Sequence, residues 1–365
     1  MINRTTLSLI CLLTLLAAAQ SQGSDVDDVF SKEKIVALMR QVNDYQQANP
    51  WKETDRNWIR ATYYTGVMGL YRATGDPKIL EQAIRWCDKH AWAEGNERER
   101  ANKKTCGQTY LELYFIDPQP ERIEKIRAYV DSRMKLIEAG ELPTKGWYYC
   151  DTLYVGPPTI AMLGRATGDP KYYDYLNKVY WQVTDLLYDD DDDLFYRDTR
   201  YKGQTTAAGR KIFWSRGNGW VLGGLPRILQ HLPEENEHYP RYVKLLQDMS
   251  ASIASRQSLD GLWRSNLDDP EQCPNPETSG TAFFCYAMTW GINNGMLDRE
   301  TYEPVIRRAW QALVRHIDAE GKLGFVQPVG ADPKPATAEM THEYAMGLFL
   351  LAGEEMIKLV ESGKE

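Results

Sequence analysis

Apolar and amphipathic segments alternate along the chain, and both follow the 3.6-residue period of helices rather than the two-residue period of strands. Each apolar segment predicts a buried inner helix, and each amphipathic segment predicts an outer helix with one buried face. The apolar segments are 63–71, 158–163, 219–232, 280–293 and 343–360, and the amphipathic segments are 79–86, 172–181, 239–255 and 302–317. The pattern therefore predicts successive pairs of inner and outer helices.

One short sequence, Arg-Ala-Thr-Gly-Asp-Pro-Lys, occurs at both 72–78 and 165–171 and marks two corners between helices. Its glycine suits the left-handed residue that ends a helix, its aspartate can cap the next helix, and its proline fits a first turn. The distance between the copies fits two helical hairpins per repeat and exceeds the roughly 34 residues of common helical solenoid repeats. We predict an all-α fold, an (α/α)6 barrel in a single domain, with an open solenoid as the alternative.

Strand signals are confined to two segments, 194–197 and 211–214, which alternate apolar and polar residues around a polar turn. They predict a small β-hairpin inserted between helices. The acidic run at 189–193 lacks the glycine and the distal glutamate of a calcium-binding EF-hand loop, so we interpret it as a solvated turn.

The N-terminus has the pattern of a secretory signal peptide at residues 1–19, with Arg4 first, an apolar run at 7–16 and small residues at 17–19. The apolar run is shorter than the roughly 20 residues that span a membrane, and no later segment is long and apolar enough. We expect residues 20–365 to form one catalytic domain that is exported to the periplasm or secreted, without membrane association.

Charge and cysteine usage exclude several classes of protein. The net charge of -8, without a clustered basic face, argues against nucleic-acid binding. The cysteines after residue 20 are odd in number and widely spaced, and neither they nor the histidines have the spacing of metal ligands. We therefore expect no metal and no other cofactor, and a monomer or a weak homo-oligomer.

Aromatic residues make up 11% of the chain, with 11 Trp and 22 Tyr, and many lie beside Gly and Pro in loops. Flat rings that also carry a polar group can bind both the C–H faces and the hydroxyl groups of sugars. The alternative for each single ring is a place in the packed interior of a large helical barrel.

Three loops that lead into predicted inner helices carry the candidate chemistry. The first loop, 147–158, places Asp151 directly after the aromatic residues Trp147 and Tyr149. An apolar pocket would raise the pKa of this carboxyl group and keep it a proton donor near neutral pH. The alternative for Asp151 is an N-cap of the following helix.

The second loop, 213–220, places Arg216 between Trp214 and Trp220. A guanidinium group there could bind a carboxylate in bidentate fashion while the rings stack on a sugar. The alternative is a tight turn with an arginine packed on aromatic rings.

The third loop, 268–281, places Thr278 and Ser279 at the start of a predicted inner helix, where anions are favoured. Capping of that helix is the alternative. His342, near the start of the last predicted helix, is a further site candidate.

Four segments carry a family resemblance when they are taken in order. They are Cys-Asp-Thr-Leu-Tyr-Val-Gly-Pro-Pro at 150–158, Leu-Phe-Tyr-Arg-Asp at 194–198, Phe-Trp-Ser-Arg-Gly-Asn-Gly-Trp at 213–220 and Glu-Thr-Ser-Gly-Thr-Ala-Phe-Phe-Cys at 277–285. Together they resemble the unsaturated rhamnogalacturonyl and glucuronyl hydrolases of glycoside hydrolase families 105 and 88. The resemblance implies an (α/α)6 barrel, no metal, and acidic oligosaccharides made by polysaccharide lyases as substrates.

By the same resemblance, Asp151 occupies the catalytic aspartate position, and Trp214, Arg216 and Trp220 occupy substrate-contact positions. The implied reaction protonates C4 of the C4=C5 enol ether in a terminal unsaturated uronic acid. Water then adds at C5, and the hemiketal opens to release the rest of the sugar chain. This route needs one proton donor, whereas ordinary glycosidases use two carboxylates. The candidate substrate-binding residues are Tyr64, Asn102, Lys103, Trp147, Tyr149, Arg197, Trp214, Arg216, Trp220, Thr278, Ser279 and His342.

The segment 101–110 departs from the resemblance, because relatives commonly have acidic residues where this chain has Asn102 and Lys103. Many relatives also have His where this chain has Arg197 or Asp198. A missing carboxylate would weaken the like-charge effect that raises the pKa of the acid. Either Asp198 or another carboxylate compensates for it, or activity is altered or lost. Lys103 and Arg197 predict a cationic pocket that suits a doubly anionic substrate, such as a sulfated oligosaccharide.

Two other functions remain open from the sequence. A conventional acid/base glycosidase or a sugar epimerase on the same barrel would act on saturated sugars. A sugar-binding protein with a decayed catalytic site would bind its ligand, and Asp151→Asn would leave its measurable properties unchanged.

Overall fold

The computed structural model describes residues 29–51, 55–97, 101–140 and 146–363, and most of this part of the chain is helical. The predicted signal peptide at 1–19 lies outside the described residues. The helices are, in chain order, α1 Lys32–Ala48, α2 Trp58–Thr74, α3 Pro77–Lys89, α4 Cys106–Ile116, α5 Glu121–Glu138, α6 Thr152–Val155, α7 Pro157–Thr167, α8 Lys171–Leu187, α9 Ser215–Leu229, α10 Tyr239–Ala254, α11 Thr278–Asn293, α12 Arg299–Arg315 and α13 Glu343–Ser362.

Six helices of the described chain form a closed inner ring: α2, α4, α7, α9, α11 and α13. Each packs against the next, and the last helix packs against the first. Helices α1, α3, α5, α8, α10 and α12 alternate with them along the chain and form the outer layer. The closed ring confirms the predicted (α/α)6 barrel and excludes the open solenoid. None of the described helices is both long enough and apolar enough to cross a membrane.

Burial follows the predicted difference between inner and outer helices. Every residue of α9, for example, is buried, because the helix is surrounded by its neighbours in the ring. In α3 the buried residues are Ile79, Gln82, Ala83, Trp86 and Cys87, which form one helical face. Helices α1, α4 and α5 are additional elements that the sequence pattern did not single out.

Two glycines let the first and last inner helices approach closely. A Cβ atom at Gly66 of α2 would lie 2.2 Å from the backbone oxygen of Gly347 in α13, and a Cβ at Gly347 would lie 2.5 Å from the backbone oxygen of Thr62. The backbones therefore touch where the ring closes, and no larger residue fits without a shift of one helix.

The repeated corner sequence has the predicted conformation in both copies. Gly75 and Gly168 end their helices in the left-handed region, with φ of 65° and 67°. Asp76 accepts a hydrogen bond from the backbone N–H of Lys78 at 2.9 Å, and Asp169 accepts one from that of Lys171 at 3.1 Å. Both corners therefore turn an inner helix into an outer helix by the same local contacts.

The predicted hairpin has a different partner strand. Leu194–Phe195 pairs antiparallel with Tyr188–Asp189, and the acidic run forms the turn between them. The segment 211–214 forms only isolated bridges, from Lys211 to Thr205 and from Trp214 to Asn266. The prediction that this segment is the second strand is wrong, because the nearer acidic turn brings Tyr188–Asp189 alongside first.

The acidic run is also more than a solvated turn. Lys211 Nζ binds Asp189 Oδ2 at 2.9 Å and Asp192 Oδ2 at 2.7 Å, and Arg256 binds Asp192 Oδ1 at 2.7 Å. Hydrogen bonds from Lys211 and Tyr196 outweigh the effect of burial and lower the pKa of Asp189. The carboxylates thus fasten the segment that leads into α9.

Ion pairs, of which only Arg72 is an exposed member, close the end of the barrel at which the inner helices finish. Arg72 of α2 donates from Nε and Nη2 to the carboxylate of Glu354 in α13, at 2.9 and 2.7 Å. Glu112 of α4 pairs with Arg72 and also with Arg227, which lies in α9. The opposite end, at which the inner helices begin, is therefore the end that a ligand can enter.

Candidate active site

A cavity of about 220 Å³ opens at the end of the barrel where the inner helices begin. Its described lining residues are Trp58, Asn102, Tyr148, Tyr149, Asp151, Val155, Arg197, Trp214, Arg216, Trp220, Val329 and Gly330. Seven of the residues singled out from the sequence are among them: Asn102, Tyr149, Asp151, Arg197, Trp214, Arg216 and Trp220. The other six, Tyr64, Lys103, Trp147, Thr278, Ser279 and His342, are not.

Asp151 lies in the wall of the cavity directly before α6. Its backbone is helical and its side chain makes no capping hydrogen bond, so the N-cap alternative does not describe it. Only 15% of the side chain is exposed. Burial raises the pKa of Asp151, although Arg197 and Arg216 oppose this by favouring the carboxylate. The Cys150 thiol donates a weak hydrogen bond to Oδ2 at 3.7 Å.

Arg197 lies beside Asp151 and is held from two other sides. Its Nε is 3.4 Å from Asp151 Oδ2, and its Nη1 donates to Asp198 Oδ2 at 2.8 Å. The guanidinium group stacks over the Tyr149 ring, 4.5 Å from its centroid. Arg197 is thus the cation closest to the acid, as a cationic pocket requires.

Asp198 does not replace the carboxylate that the sequence lacks. It is almost completely buried and is absent from the cavity lining. Burial alone would raise the pKa of Asp198, but hydrogen bonds from Arg200 and Arg197 outweigh it and lower the pKa to about 2. Asp198 is therefore an ionised anchor for Arg197, and the proposal that it compensates for the missing acid is wrong.

Asn102 and Lys103 have different surroundings although they are neighbours in the chain. Asn102 lines the cavity, and its Oδ1 accepts a hydrogen bond from the Tyr149 hydroxyl at 2.8 Å. Lys103 Nζ instead donates to the backbone oxygen of Gly95 at 3.0 Å. The tight 3-10 turn at Asn102–Lys104 directs successive side chains to different sides, so the prediction that Lys103 makes the pocket cationic is wrong.

Trp147 packs beneath the site instead of lining it. Only 2% of its surface is exposed, and Lys104 Nζ lies 4.9 Å from its ring centroid. A Cβ atom at Gly156 would approach its ring to 2.6 Å, so Trp147 also fills the break between α6 and α7. Its position supports the segment that carries Asp151.

Arg216 lines the cavity, but its terminal nitrogens are engaged. Nη1 donates to the backbone oxygen of Gln327 at 2.6 Å, and Nη2 donates to that of Pro328 at 2.7 Å. The guanidinium group stacks on Trp214 and Tyr344, at 4.5 and 5.0 Å from the ring centroids. The packed-arginine alternative therefore describes Arg216, and a bidentate grip by its two terminal nitrogens does not.

Thr278 and Ser279 are completely buried and lie behind the cavity. Thr278 Oγ1 donates to the backbone oxygen of Gly324 at 2.7 Å, and Ser279 Oγ lies 3.3 Å from Arg216 Nη1. The helix cap is Glu277, which accepts hydrogen bonds from the backbone N–H groups of Ser279 and Gly280. These residues support Arg216 and do not contact the cavity.

His342 and Tyr64 belong to the surroundings of the cavity. His342 stacks between Trp51 and Tyr344, with ring centroids 4.5 and 4.7 Å away, and burial lowers its pKa to about 3. Tyr64 stacks on Trp86 at 4.2 Å and lines a separate cavity of about 480 Å³. Neither side chain is among the described residues that line the cavity, so their role in substrate binding stays a prediction.

Sequence reasoning missed five lining residues: Trp58, Tyr148, Val155, Val329 and Gly330. Trp58 could have been found from its position, because it is the first residue of an inner helix. Trp214, which was found, directly precedes another inner helix. Tyr148 and Val155 flank Asp151 in the chain. Val329 and Gly330 come from a loop with no pattern of its own, which Arg216 brings to the cavity.

Fold and cavity together define the class of protein: a helical barrel whose open end presents one acid, two arginines and aromatic rings to a small polar ligand. No group of three or more His, Cys, Asp or Glu side chains is placed to hold a metal ion in the described part of the chain. A family model described as Glycosyl Hydrolase Family 88 matches residues 31–360. The chain belongs to this family and is a glycoside hydrolase.

Three known proteins are similar to this chain over most of its length. The unsaturated 3S-rhamnoglycuronyl hydrolase of Formosa agariphila is 32% identical, over 97% of this chain and 99% of its own length. A solved glycosyl hydrolase family 88 structure from Bacteroides vulgatus has a TM-score of 0.82 and 31% identity, over 90% of this chain and 99% of that one. A solved structure described as a polysaccharide lyase has a TM-score of 0.83 and 31% identity, over 91% and 99%.

Proposed function

We propose that the protein removes a terminal 4,5-unsaturated uronic acid from lyase-generated acidic oligosaccharides by hydrating its C4=C5 bond. One observation carries this proposal: Asp151 is the only carboxyl group among the described residues that line the cavity. A conventional glycosidase needs a pair of carboxylates that flank the scissile bond. Hydration of an enol ether needs only one proton donor, and burial favours the protonated form of Asp151.

In the proposed reaction, the Asp151 carboxyl group gives its proton to C4 while the ring oxygen shares the positive charge that develops at C5. Water adds at C5, and its surplus proton returns to the Asp151 carboxylate. The product is a hemiketal, which opens and releases the remaining sugar chain as the leaving alcohol. Trp220 and Trp58, whose rings meet edge to face at 5.5 Å, offer apolar surfaces for the sugar ring.

Arg197 supports an anionic substrate, because its guanidinium group lines the cavity and pairs only with Asp151 and Asp198 among the described residues. The name of the Formosa relative suggests unsaturated rhamnoglycuronyl oligosaccharides as the first substrates to assay. The proposal includes the sulfated substrates predicted from the sequence. Arg197 is the cation that would bind their negative charge, and Lys103 takes no part.

The decisive experiment follows the ultraviolet absorbance of the unsaturated uronate. The wild-type protein should abolish the absorbance, and Asp151→Asn should lower the rate by at least about 1,000-fold, because the amide has no proton to donate. Asp185→Asn is the matched control, since Asp185 is an exposed residue of α8, and it should retain the wild-type rate. Equal rates for Asp151→Asn and wild type would contradict the proposal.

The same experiment separates the other candidate functions. A polysaccharide lyase, which the description of one solved relative suggests, would create the double bond and raise the absorbance of a saturated polysaccharide. A conventional glycosidase or an epimerase would act on saturated oligosaccharides and leave the absorbance of the unsaturated ones unchanged. A sugar-binding protein with a decayed site would bind oligosaccharide without any change in absorbance.

We further propose that residues 1–19 direct export and are removed. Support comes from the basic, apolar and small-residue order of this segment. N-terminal sequencing of protein recovered from the periplasm or the medium should find a start after residue 19, and retention of Met1 would refute this. We expect the exported protein to be a monomer or a weak homo-oligomer, which sedimentation would measure.

A further inference from the structure

Arg197 is fixed in place by contacts with Asp198 and Tyr149, and its side chain also lines the cavity. Asp198 holds Nη1 at 2.8 Å, and the Tyr149 ring supports the plane of the guanidinium group. Asp198 is itself held by Arg200, whose Nε and Nη2 donate to it at 2.9 and 2.8 Å. Nε of Arg197 is buried and has no hydrogen bond within the described chain, and Asp151 Oδ2 lies 3.4 Å away.

The side-chain contacts to the Asp151 carboxyl group are made at one oxygen. Arg197 Nε and the Cys150 thiol both face Oδ2, at 3.4 and 3.7 Å. The backbone N–H of Asp151 also hydrogen-bonds its carboxyl group. Neither side-chain contact uses Oδ1, and we assign the catalytic proton to this oxygen. The ionised form of Asp151 is therefore stabilised by a cation that sits beside the oxygen not needed for proton transfer.

Among the described residues, few other charges face Asp151. Arg216 from α9 acts on it electrostatically, but its terminal nitrogens are bound to the backbone oxygens of Gln327 and Pro328. Asp198 lies behind Arg197, and the Cys150 thiol is kept neutral because burial raises its pKa. Arg197 is therefore the cation whose pairing with Asp151 can change when an anion enters the cavity.

We infer that Arg197 couples substrate binding to protonation of Asp151, an inference that rests on the proposed function. The carboxylate of the uronate binds the guanidinium group of Arg197 from the cavity and competes with Asp151 for this cation. Asp151 then loses its share of the cation and faces a second anion in the same small cavity. The Asp151 carboxylate then takes up one proton from solvent. Binding of the substrate thus supplies Asp151 with the proton that it later transfers to that substrate.

The physical consequence is a linkage between binding and pH. A group whose pKa is higher in the complex than in the free protein takes up protons on binding at every pH between the two values. Below the pKa of the free protein, Asp151 is already protonated and no uptake occurs. Between the two pKa values, binding weakens by up to tenfold for each pH unit, because a proton must be bound along with the ligand, and above the pKa of the complex it no longer changes with pH.

Calorimetry with glucuronate tests the inference without turnover, since this saturated sugar acid has no double bond to hydrate. Titrations in buffers of different ionisation enthalpy, between about pH 5 and pH 8, give the number of protons taken up per ligand. We expect the wild-type uptake to approach one proton within this range, and Asp151→Asn to remove it. Arg197→Gln should reduce it several-fold, because without this cation the pKa of Asp151 in the free protein is raised toward its pKa in the complex.

Arg241→Gln is the matched control for the loss of a stacked arginine. Arg241 lies 3.8 Å from the Trp181 ring centroid in the outer layer, away from the cavity, and its removal should leave the proton uptake unchanged. If Arg197→Gln does not fold, Arg197→Lys decides instead. A single ammonium group cannot contact Asp198 and Asp151 as the planar guanidinium does, so the uptake should again fall.

Binding of glucuronate without proton uptake at any pH in this range would overturn the inference, as would uptake that survives Asp151→Asn or is unaltered in both Arg197 variants. A failure of glucuronate to bind would also overturn it, because the uronate anion would then have no place in the cavity. Normal coupling in a protein that leaves the unsaturated double bond intact would refute the proposed function and leave the coupling standing.

Discussion

Gln327 joins three of the groups that surround the cavity. Its side-chain oxygen accepts a hydrogen bond from Trp214 Nε1 at 2.9 Å, and its backbone oxygen accepts one from Arg216 at 2.6 Å. Its side-chain nitrogen donates to the backbone oxygen of Asp332 at 2.7 Å. One residue thus orients a cavity ring and the loop that carries Val329, although it is not itself among the lining residues.

We predict that Gln327→Leu lowers kcat/KM roughly tenfold while the melting temperature changes little. Each lost hydrogen bond costs about 1 kcal/mol, and the buried Trp214 Nε1 is left without its acceptor. Steady-state kinetics on an unsaturated oligosaccharide and a thermal melt measure both effects. Gln230→Leu, at the closed end of the barrel, should retain the wild-type kcat/KM. Equal kinetic losses in the two variants would show that Gln327 has no special role.

Single residues also explain where sequence reasoning succeeded and failed at the site. Asp151, Arg216 and their neighbouring tryptophans lie next to inner-helix starts, and the barrel gathers all such starts at one end. Lys103 and His342 satisfy the same rule, yet Lys103 turns to Gly95 and His342 is stacked between rings. Position in the chain decides which end a residue reaches, whereas side-chain direction depends on partners distant in sequence.

At the scale of elements, the contact between α2 and α13 is set by backbone proximity. Gly66 and Gly347 face one another where these two inner helices close the ring. Neither glycine has a positive φ, so each is present for space and not for an unusual backbone conformation. Helical periodicity predicted both helices, but it contains no information about which helix will be the neighbour of which.

We predict that Gly66→Ala lowers the free energy of unfolding by about 3 kcal/mol, because its Cβ would lie 2.2 Å from a backbone oxygen that cannot move alone. Gly69→Ala on the same helix is the matched control. Its Cβ would meet side-chain ends of Glu354 and Leu351 at 3.0 and 3.2 Å, so it should cost about 1 kcal/mol or less. Urea unfolding curves with unchanged slopes measure both values. Similar losses would contradict the close contact.

The partner strand of the β-hairpin was predicted wrongly from the sequence. Alternation correctly marked Leu194–Phe195 as a strand, but it could not choose between partners on either side in the chain. The acidic run decided the choice, because its carboxylates form the turn and bind Lys211 and Arg256. A charge pattern interpreted as solvated was in fact neutralised by cations that lie further along the chain.

Over the whole molecule, the closed end and the open end of the barrel differ in how completely their charges are paired. At the closed end, Arg72 and Arg227 are neutralised by Glu112 and Glu354, and only Arg72 of these four side chains is exposed. At the open end, Asp151 faces two arginines in a cavity that an anionic sugar can enter. The proposed chemistry needs this difference, because a paired charge cannot respond to a substrate and an incompletely paired one can.

By itself, the sequence determined most of the helices, although not α1, α4 and α5, and it determined the two corners and the end of the barrel at which polar residues meet. Periodicity, caps and turn residues act over a few neighbouring positions, so they can be identified without a partner. The tertiary structure alone decided the order of contacts in the ring, the strand partner, and the meeting of Asp151 with Arg197 and Arg216. Those outcomes depend on contacts between residues far apart in the chain, whose energies no local pattern contains.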